Sequence, residues 1–257
     1  MFEKRATARR RTVSPVDDAA DHDSSNGASE RTALPLLPLD TTLLPGAHMS
    51  LHIIEPRHRQ LTADLMNAAD QQHEFGIVTS RTPLDVEITS DEQVHRIGCS
   101  AQLREVESLP DGRFAIVTTG RKPFRLVDVD PTVAPYLMGT IEWIDDEPVR
   151  KSARSIAAVV AELARNAHRR YCDSAWDTEW SPPPADTDFG SLAYALVTDC
   201  LLPPEDRRRL LAEPHPVRRL QMARETLSRE AGFLTRLNAV PVPPSALLDG
   251  HDHPNRN

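Results

Sequence analysis

The stretch IGCSAQLREVESLPDGRFAIVTTGRKPFRLVDV, residues 97–129, decides the fold class of this chain. Its apolar and β-branched residues come in short runs, and the Asp111-Gly112 pair between two of these runs is typical of a hairpin turn. The runs therefore predict strands over 97–106, 114–118 and 124–129. Outside this stretch the same pattern predicts further strands over 51–54, 75–79 and 137–144, with one early helix that begins at Pro56.

The segment before the first turn is apolar but carries Pro35 and Pro38. A proline cannot donate to a sheet ladder, so we expect this segment to be an edge strand or an extended connection. The periodicity changes near Pro148, where apolar residues begin to follow a helical spacing. One predicted helical face consists of Ile156, Val159, Val160, Leu163 and Ala167, and a later one of Val217, Leu220, Leu227 and Leu234.

These patterns predict an α+β chain in which a compact, barrel-like β domain with one early helix precedes a C-terminal helical bundle. We expect the β domain over residues 32–147 and the helical bundle over 148–239. The flanking segments, 1–31 and 240–257, are rich in Arg, Asp, Ser and Pro and are predicted to be disordered tails, because they have little to bury.

Composition limits the classes of partner. The formal net charge of −8 opposes general nucleic-acid binding, and the absence of an apolar run of about 18 residues argues against a membrane span. Two interpretations remain open for the arginines of the C-terminal region: a local basic face and a solvated helix surface. These arginines are Arg207, Arg208, Arg209, Arg218 and Arg219. The cysteines, Cys99, Cys172 and Cys200, are odd in number and lack metal-ligand spacing, which favours a reducing, cytoplasmic location.

A family resemblance adds to this picture. LPLLPLDTTLLPGAHMSLHIIEPRHRQL (residues 34–61), FGIV (75–78) and residues 97–129 resemble, in order, the amino-terminal substrate-binding domain of Lon proteases. SLAYALVTDCLLPPEDRRRLLAEPHPVRRLQMARETL, residues 191–227, is similar to the helical part of that family. The resemblance spans roughly residues 33–237, with departures at Ser50 and at Lys122-Pro123. It implies a LON-type β domain and a free-standing substrate-recognition module.

Catalytic signatures are missing from the sequence. No Gly-rich phosphate loop occurs, and the lysines (Lys4, Lys122 and Lys151) include no credible partner for a Ser-Lys dyad. His48 and His52 lie four apart in an extended segment, a spacing that does not bring two metal ligands together. We therefore expect no cofactor, no metal and no protease activity. A hydrolase or peptidase of unrecognised type and a small-molecule binding domain are the alternatives.

Candidate recognition residues follow from surface chemistry. Leu43 and Leu44 flank a Pro-Gly turn, where they either bind extended polypeptide or plug the end of the β domain. Glu55, Arg57 and Arg59 form a charged corner before and within the early helix, either as orienting groups for a client or as a structural clamp. Trp176 and Trp180 are a second candidate patch, unless they pack on their own helices. The expected partners are an unfolded or extended polypeptide client and a protease or chaperone.

Overall fold

The computed structural model describes residues 31–68, 73–83, 86–176 and 180–237. Its strands are β1 (Arg31–Leu39), β2 (His48–Ile53), β3 (Glu74–Ser80), β4 (Val94–Ser108), β5 (Phe114–Asp130) and β6 (Met138–Trp143). Its α-helices are α1 (Pro56–Asn67), α2 (Arg154–Ala175), α3 (Phe189–Val197), α4 (Pro204–Ala212) and α5 (Pro216–Leu237). The predicted tails lie almost wholly outside the described residues.

The strands form one six-stranded sheet in the order β2-β5-β4-β3-β1-β6, and β5 also pairs with β6. An α+β fold is therefore confirmed, with one early helix inside the sheet region and four helices after it among the described residues. A core cluster built mainly from β1, β5 and β6 includes Leu36, Phe124, Leu126 and Ile141. A second, larger cluster joins the sheet to α2, α3, α4 and α5, so the two regions share buried contacts.

The prediction that the first segment is an edge strand is wrong. β1 pairs with β6 through Arg31–Pro35 and with β3 through Leu36–Leu39, so it lies between two strands. Pro35 stands where β1 exchanges one partner for the other, and the next residue, Leu36, donates its N–H to the Leu137 carbonyl at 2.8 Å. Each half of β1 pairs with only one neighbouring strand. The strand therefore tolerates prolines, which have no N–H to donate to a second ladder.

The two strands predicted over 114–118 and 124–129 are one continuous strand, β5. Its pairing with β4 shifts register between Cys99 and Ala101, opposite Pro123. Lys122 there donates its N–H to the Ser100 hydroxyl at 3.1 Å instead of to a strand carbonyl. A bulge therefore carries the strand past the proline that interrupts the sequence pattern.

The predicted apolar face of α2 is only partly the buried one. Ile156, Val159 and Leu163 are exposed, whereas the buried side is rich in alanine and includes Ala157, Val160, Ala161, Ala164 and Ala167. Small residues allow α2 and α5 to pack closely along their length. On α5 the prediction holds for Val217, Leu220 and Leu227, which are all buried.

Candidate functional site

An open cleft of about 1410 Å³ lies between one end of the sheet and the following helices. The turn between β1 and β2 contributes the floor, the sheet contributes one wall, and α2, α3 and the loop before α3 contribute the other wall. The residues that line it include Pro45, Gly46, His48, His73, Glu74, Gln102, Thr119, Arg121, Lys122, Trp143, His168, Pro182, Pro183, Pro184, Tyr194, Ala195 and Asp199. Polar groups, cations, anions and apolar surface all face this space.

The floor of the cleft is the turn that joins β1 to β2. Gly46 adopts a positive φ of 81°, which favours glycine, and donates its N–H to the Gly120 carbonyl at 2.9 Å. Gly120 donates in return to Ala47 O at 2.9 Å, and a Cβ on Gly120 would lie 2.1 Å from the Leu44 carbonyl oxygen. Only glycine at position 120 permits this close approach of the turn to β5.

Leu43 and Leu44 lie beneath this floor and are 2% and 0% exposed. The expectation that they form an exposed apolar patch is therefore wrong, and the alternative that they plug the end of the β region describes their position. They pack in the cluster that joins the sheet to the helices, where both leucines gain more burial than a surface turn offers. The turn reaches the cleft through Pro45 and Gly46 instead.

The sheet wall carries two imidazoles with defined partners. His48 Nδ1 lies 3.1 Å from the Thr119 hydroxyl, which also accepts from Arg104 Nε at 3.3 Å. His73 Nδ1 lies 2.7 Å from the Leu65 carbonyl oxygen and must donate to it, because a carbonyl only accepts. His48 and His52 are both on the exposed side of β2, as expected for ordinary strand histidines.

On the helical wall a buried arginine holds Tyr194 in place. Arg219 is 1% exposed, stacks on the Tyr194 ring at 4.3 Å, and donates to both carboxylate oxygens of Asp146 at 2.8 Å. It also donates to the backbone carbonyls of Glu213 and Gly190 at 2.8 and 2.7 Å. Arg219 thus joins the segment after β6 to α3 and α5, and it belongs neither to a basic surface nor to a solvated helix face.

The Tyr194 hydroxyl is buried and has no hydrogen-bond partner among the residues that the structure describes. Burial raises the pKa of Tyr194, so the hydroxyl stays protonated and can donate. The ring lines the cleft beside Ala195 and Ser191. The buried Nε atoms of Arg207 and Arg219 are likewise without a hydrogen-bond partner among the described residues.

The proline-rich loop before α3 is fixed to α2 by Arg165, which donates to the carbonyls of Pro183 and Pro184 at 2.8 and 2.7 Å. The loop lies between the cleft and a smaller cavity of about 400 Å³, and Trp180 lines only the smaller cavity. Trp180 packs edge-on against His168 with the ring centroids 5.3 Å apart and donates to Asp173 at 3.3 Å. Trp176 packs against the shared core. The two tryptophans therefore do not form one exposed patch.

The charged corner lies away from the cleft. Arg57 Nε contacts Glu55 Oε2 at 2.8 Å, and Arg59 reaches the Gly112 carbonyl at 3.4 Å. The Glu55 side chain makes no capping hydrogen bond to α1, so any clamp at this corner rests on its contact with Arg57. Glu55 and Arg57 instead line a groove of about 180 Å³ with apolar residues Leu39, Leu51, Ile53, Ile54 and Val86.

A thiol-imidazole pair near the cleft escaped the sequence reasoning. His168 Nε2 lies 3.3 Å from the sulfur of Cys172, one helical turn later on α2. The His-x-x-x-Cys spacing on a predicted helix is the signal that would have revealed it, because residues four apart share a helix face. Cys172 itself does not line the cleft, whereas His168 does.

No group of three or more His, Cys, Asp or Glu side chains in the described ranges is arranged to hold a metal ion. No helix in those ranges is both long enough and apolar enough to cross a bilayer.

Comparisons with known proteins bear on the architecture and on the family of this chain. The N-terminal domain of Lon protease from Mycobacterium avium complex aligns with a TM-score of 0.52 at 15% identity, over 77% of this chain and 98% of that domain. The Lon N-terminal domain protein from Xanthomonas campestris aligns with a TM-score of 0.49 at 20% identity, over 82% and 99%. The first of these likenesses shows a Lon N-terminal type of fold.

The chain belongs to the family of the ATP-dependent protease La (LON) substrate-binding domain, whose model matches residues 33–229. The Lon protease of Trichlorobacter lovleyi is 26% identical over 222 residues, which are 79% of this chain and 24% of that protein. The Lon protease of Flavobacterium johnsoniae is 27% identical over 154 residues, 58% of this chain and 18% of that protein. The chain thus spans about a quarter or less of these relatives, and the matched family is that of their recognition domain.

Proposed function

We propose that this chain is a recognition module that holds an extended segment of a client polypeptide in the cleft and does not cleave it. The observation that carries the proposal is the open cleft of about 1410 Å³. Sites for drug-sized ligands are usually about 300–1,000 Å³ and enclose the ligand. A larger, open space with polar and apolar walls suits a polymer better than a small molecule.

The walls supply what an extended main chain needs. His48 and Gln102 offer polar groups on the sheet wall, and the exposed Ser191 offers a hydroxyl on the helical wall. Main-chain hydrogen bonds of this kind give affinity without requiring one client sequence. Arg121 and Asp199, of opposite charge, also line the cleft and would favour one direction of the client over the other.

The absence of proteolysis is part of the proposal. Lys122 is only partly buried and is paired with Asp145 at 2.6 Å, and Lys151 is exposed at the start of the helical region. A Ser-Lys dyad needs a desolvated lysine of depressed pKa beside the serine, and neither residue meets that requirement. Incubation with casein, with and without ATP and magnesium, should leave the casein intact. Cleavage that survives repurification and maps to a residue of this chain would contradict this part.

Binding at the cleft is tested by filling it. Ala195 lies on α3 and lines the cleft, so Ala195→Trp should obstruct it, and the matched control Ala158→Trp places the same bulk on the exposed side of α2. Fluorescence anisotropy with labelled, unfolded casein should show at least about tenfold weaker binding, or roughly 1.4 kcal/mol, for Ala195→Trp only. Equal binding by both variants, with unchanged melting temperatures, would remove the cleft from consideration.

The charged corner is the second place where a client could bind, and we retain it as a proposal. Ile54 is exposed beside Glu55 and Arg57, so an apolar side chain and two charges meet at the groove there. The double change Ile54→Ser and Arg57→Ser should weaken casein binding if the corner contributes. If Ala195→Trp leaves binding intact while this double change abolishes it, the corner and not the cleft holds the client.

The extent of the folding unit completes the proposal. We propose that residues 32–239 fold on their own, as a β domain over 32–147 followed by a helical bundle over 148–239, and that the flanking segments are dispensable. The circuit of pairings from β5 through β4, β3, β1 and β6 back to β5 supports the barrel interpretation. A chain shortened to residues 32–239 should keep its melting temperature within a few degrees. A large decrease would show that a flanking segment stabilises the fold.

A further inference from the structure

We propose that the cleft selects its clients by charge, and that it binds best an extended segment with an acidic and a basic side chain four residues apart. This inference rests on the proposed function, because it concerns the client of the same cleft. Two features of the sheet wall carry it. One is a row of polar side chains that crosses four strands, and the other is a bulge that presents two cations.

The polar row crosses the sheet at right angles to the strands. His48 on β2 pairs with Thr119 on β5, which in turn pairs with Gln102 on β4. Gln102 pairs with Glu74 on β3. Residues directly opposite each other in an antiparallel pair point to the same face, and all four of these line the cleft. The row is about 14 Å long, since strands lie about 4.8 Å apart, and it ends in the Glu74 carboxylate.

The bulge lies on β5, just beyond Thr119. Arg121 and Lys122 together stand opposite one residue of β4, Ser100, and both of them line the cleft. In a regular strand, neighbouring side chains point to opposite faces, so one of these two cations would leave the wall. An extra residue in one strand re-aims the side chains beside it. The bulge therefore gives the wall that carries Glu74 a positively charged end.

Arg121 is the cation of this pair that a client can use. Lys122 contacts Asp145 at 2.6 Å. The two other carboxylates that line a small cavity with Arg121 are also engaged, Asp146 with a buried arginine and Asp188 with the first amides of α3. Arg121 itself is exposed and has no ion-pair partner in the part of the chain that the structure describes. A client carboxylate would therefore meet a guanidinium that no described carboxylate occupies.

The distance between Arg121 and Glu74 sets the spacing of charges in the client. Ser100, opposite Arg121, pairs with Gly76, which is two residues along β3 from Glu74. The two Cα atoms are thus two strands and two residues apart, or about 12 Å. Glu74 also lacks an ion-pair partner among the described residues. In an extended client, side chains four residues apart share a face and lie about 13 Å apart, whereas side chains three apart point to opposite faces.

Peptides of identical composition test this charge pattern on the full-length chain. Short, labelled Ser/Thr-rich peptides would carry one Glu and one Lys, either four or three residues apart and in both orders. Fluorescence anisotropy at low ionic strength should show about three- to fivefold tighter binding for a four-apart peptide than for its three-apart isomer, as for half-exposed ion pairs. The difference should disappear at 1 M salt, where the Debye length is about 3 Å. Equal affinities for the isomers at low salt would overturn the proposal.

Charge reversal assigns the effect to Arg121. Arg121→Glu should weaken binding of the four-apart Glu/Lys peptide by at least about threefold. The same variant should bind a four-apart Lys/Lys peptide more tightly than the wild type does, because the new carboxylate attracts the second lysine. Arg125→Glu is the matched control, since Arg125 is exposed on the same strand and does not line the cleft. If the two variants bind both peptides alike, Arg121 does not contact the client and the proposal is wrong.

Ala195→Trp distinguishes a failure of this proposal from a failure of the proposed function. If this variant weakens binding of every peptide while the wild type does not distinguish the isomers, the cleft holds clients but does not select them by charge. The charge proposal is then wrong and the proposed function stands. If Ala195→Trp binds every peptide as tightly as the wild type, the cleft is not the binding site, and both are wrong.

Discussion

The Leu43–Gly46 turn and the charged corner of Glu55, Arg57 and Arg59 were both expected to contact a client, and the structure gives them opposite environments. The Leu43–Gly46 turn buries its leucines, at 2% and 0% exposure, and presents only Pro45 and Gly46 to the cleft. The charged corner keeps the side chains of Glu55 and Arg57 43% and 32% exposed. The comparison shows that a Pro-Gly turn crossing the end of a sheet recruits adjacent leucines into the core, whereas charges at a helix start remain at the surface.

The two regions also differ in what stabilises them. A buried leucine contributes about 1.5–3 kcal/mol through the apolar area that it removes from water. A half-exposed ion pair such as Glu55–Arg57 contributes about 0–1 kcal/mol, because water still reaches and screens the charges. Mutations in the turn should therefore act on stability, and mutations in the corner should act on binding if they act at all.

The largest effect is expected at the turn. Leu43→Ser combined with Leu44→Ser should lower the free energy of unfolding by about 2–5 kcal/mol at each site, because each change leaves a cavity and places a hydroxyl in the core. Urea denaturation monitored by circular dichroism measures the loss. Ile54→Ser, on an exposed side chain, is the matched control and should cost little. A stable double variant that loses client binding would instead restore the leucines as contact residues.

A smaller loss of stability, caused by one close contact, is expected at Gly120. In Gly120→Ala the new methyl group would meet the Leu44 carbonyl oxygen at 2.1 Å, so the turn must move away from β5. We expect a loss of about 1–3 kcal/mol, typical of overpacking, together with weaker casein binding because the cleft floor is displaced. Gly232→Ala on α5, where nothing lies within 4 Å of the new methyl, is the control. An unchanged unfolding midpoint for Gly120→Ala would show that the turn is not held by this contact.

Local pattern was enough to predict much of the fold. Alternating apolar residues and the Asp111-Gly112 turn located β4 and β5, and Pro56 marked the start of α1. The sequence pattern failed where tertiary pairing overrides a local signal. Gly120 and Pro123 break the pattern of β5, yet a bulge and a side-chain acceptor on β4 carry the strand through.

The site was less predictable than the fold because it is assembled from distant parts of the chain. The sequence around Arg219 does not predict that this residue is buried, because its partner Asp146 lies in the connection after β6. Likewise, Pro45 and Tyr194 face the same cleft from opposite ends of the sequence. Of the predicted site residues, none of the five at the turn and corner lines the cleft. Contacts between side chains depend on tertiary distances, and a single sequence gives no information about those distances.

At the corner the expected change in stability is small. Replacing Glu55 by Gln and Arg57 by Gln should change the free energy of unfolding by less than about 1 kcal/mol, as for other exposed ion pairs. Removal of the Asp111–Arg113 pair, in Arg113→Gln, is a matched control on the neighbouring hairpin. Urea midpoints compare them directly. A loss several times that of the control would identify the corner as a structural clamp.

The smallest effect is the contribution of His58 to the pH dependence of stability. Burial lowers the pKa of His58, Glu55 at 3.8 Å raises it, and Arg57 lowers it again, with a net decrease. A group whose pKa is lower in the folded state leaves stability unaffected above its unfolded pKa, about 6.5, and reduces stability as the pH falls below that value. The unfolded chain takes up the proton first in that range. His58→Gln should therefore reduce the loss of stability between neutral pH and about pH 5. Glu55→Gln should increase it, because removing the carboxylate lowers the His58 pKa further. Urea denaturation at a series of pH values tests both signs. If the free energy of unfolding changes with pH in the same way for the wild type and His58→Gln, the pKa of His58 is the same in the folded and the unfolded chain, and the prediction is wrong.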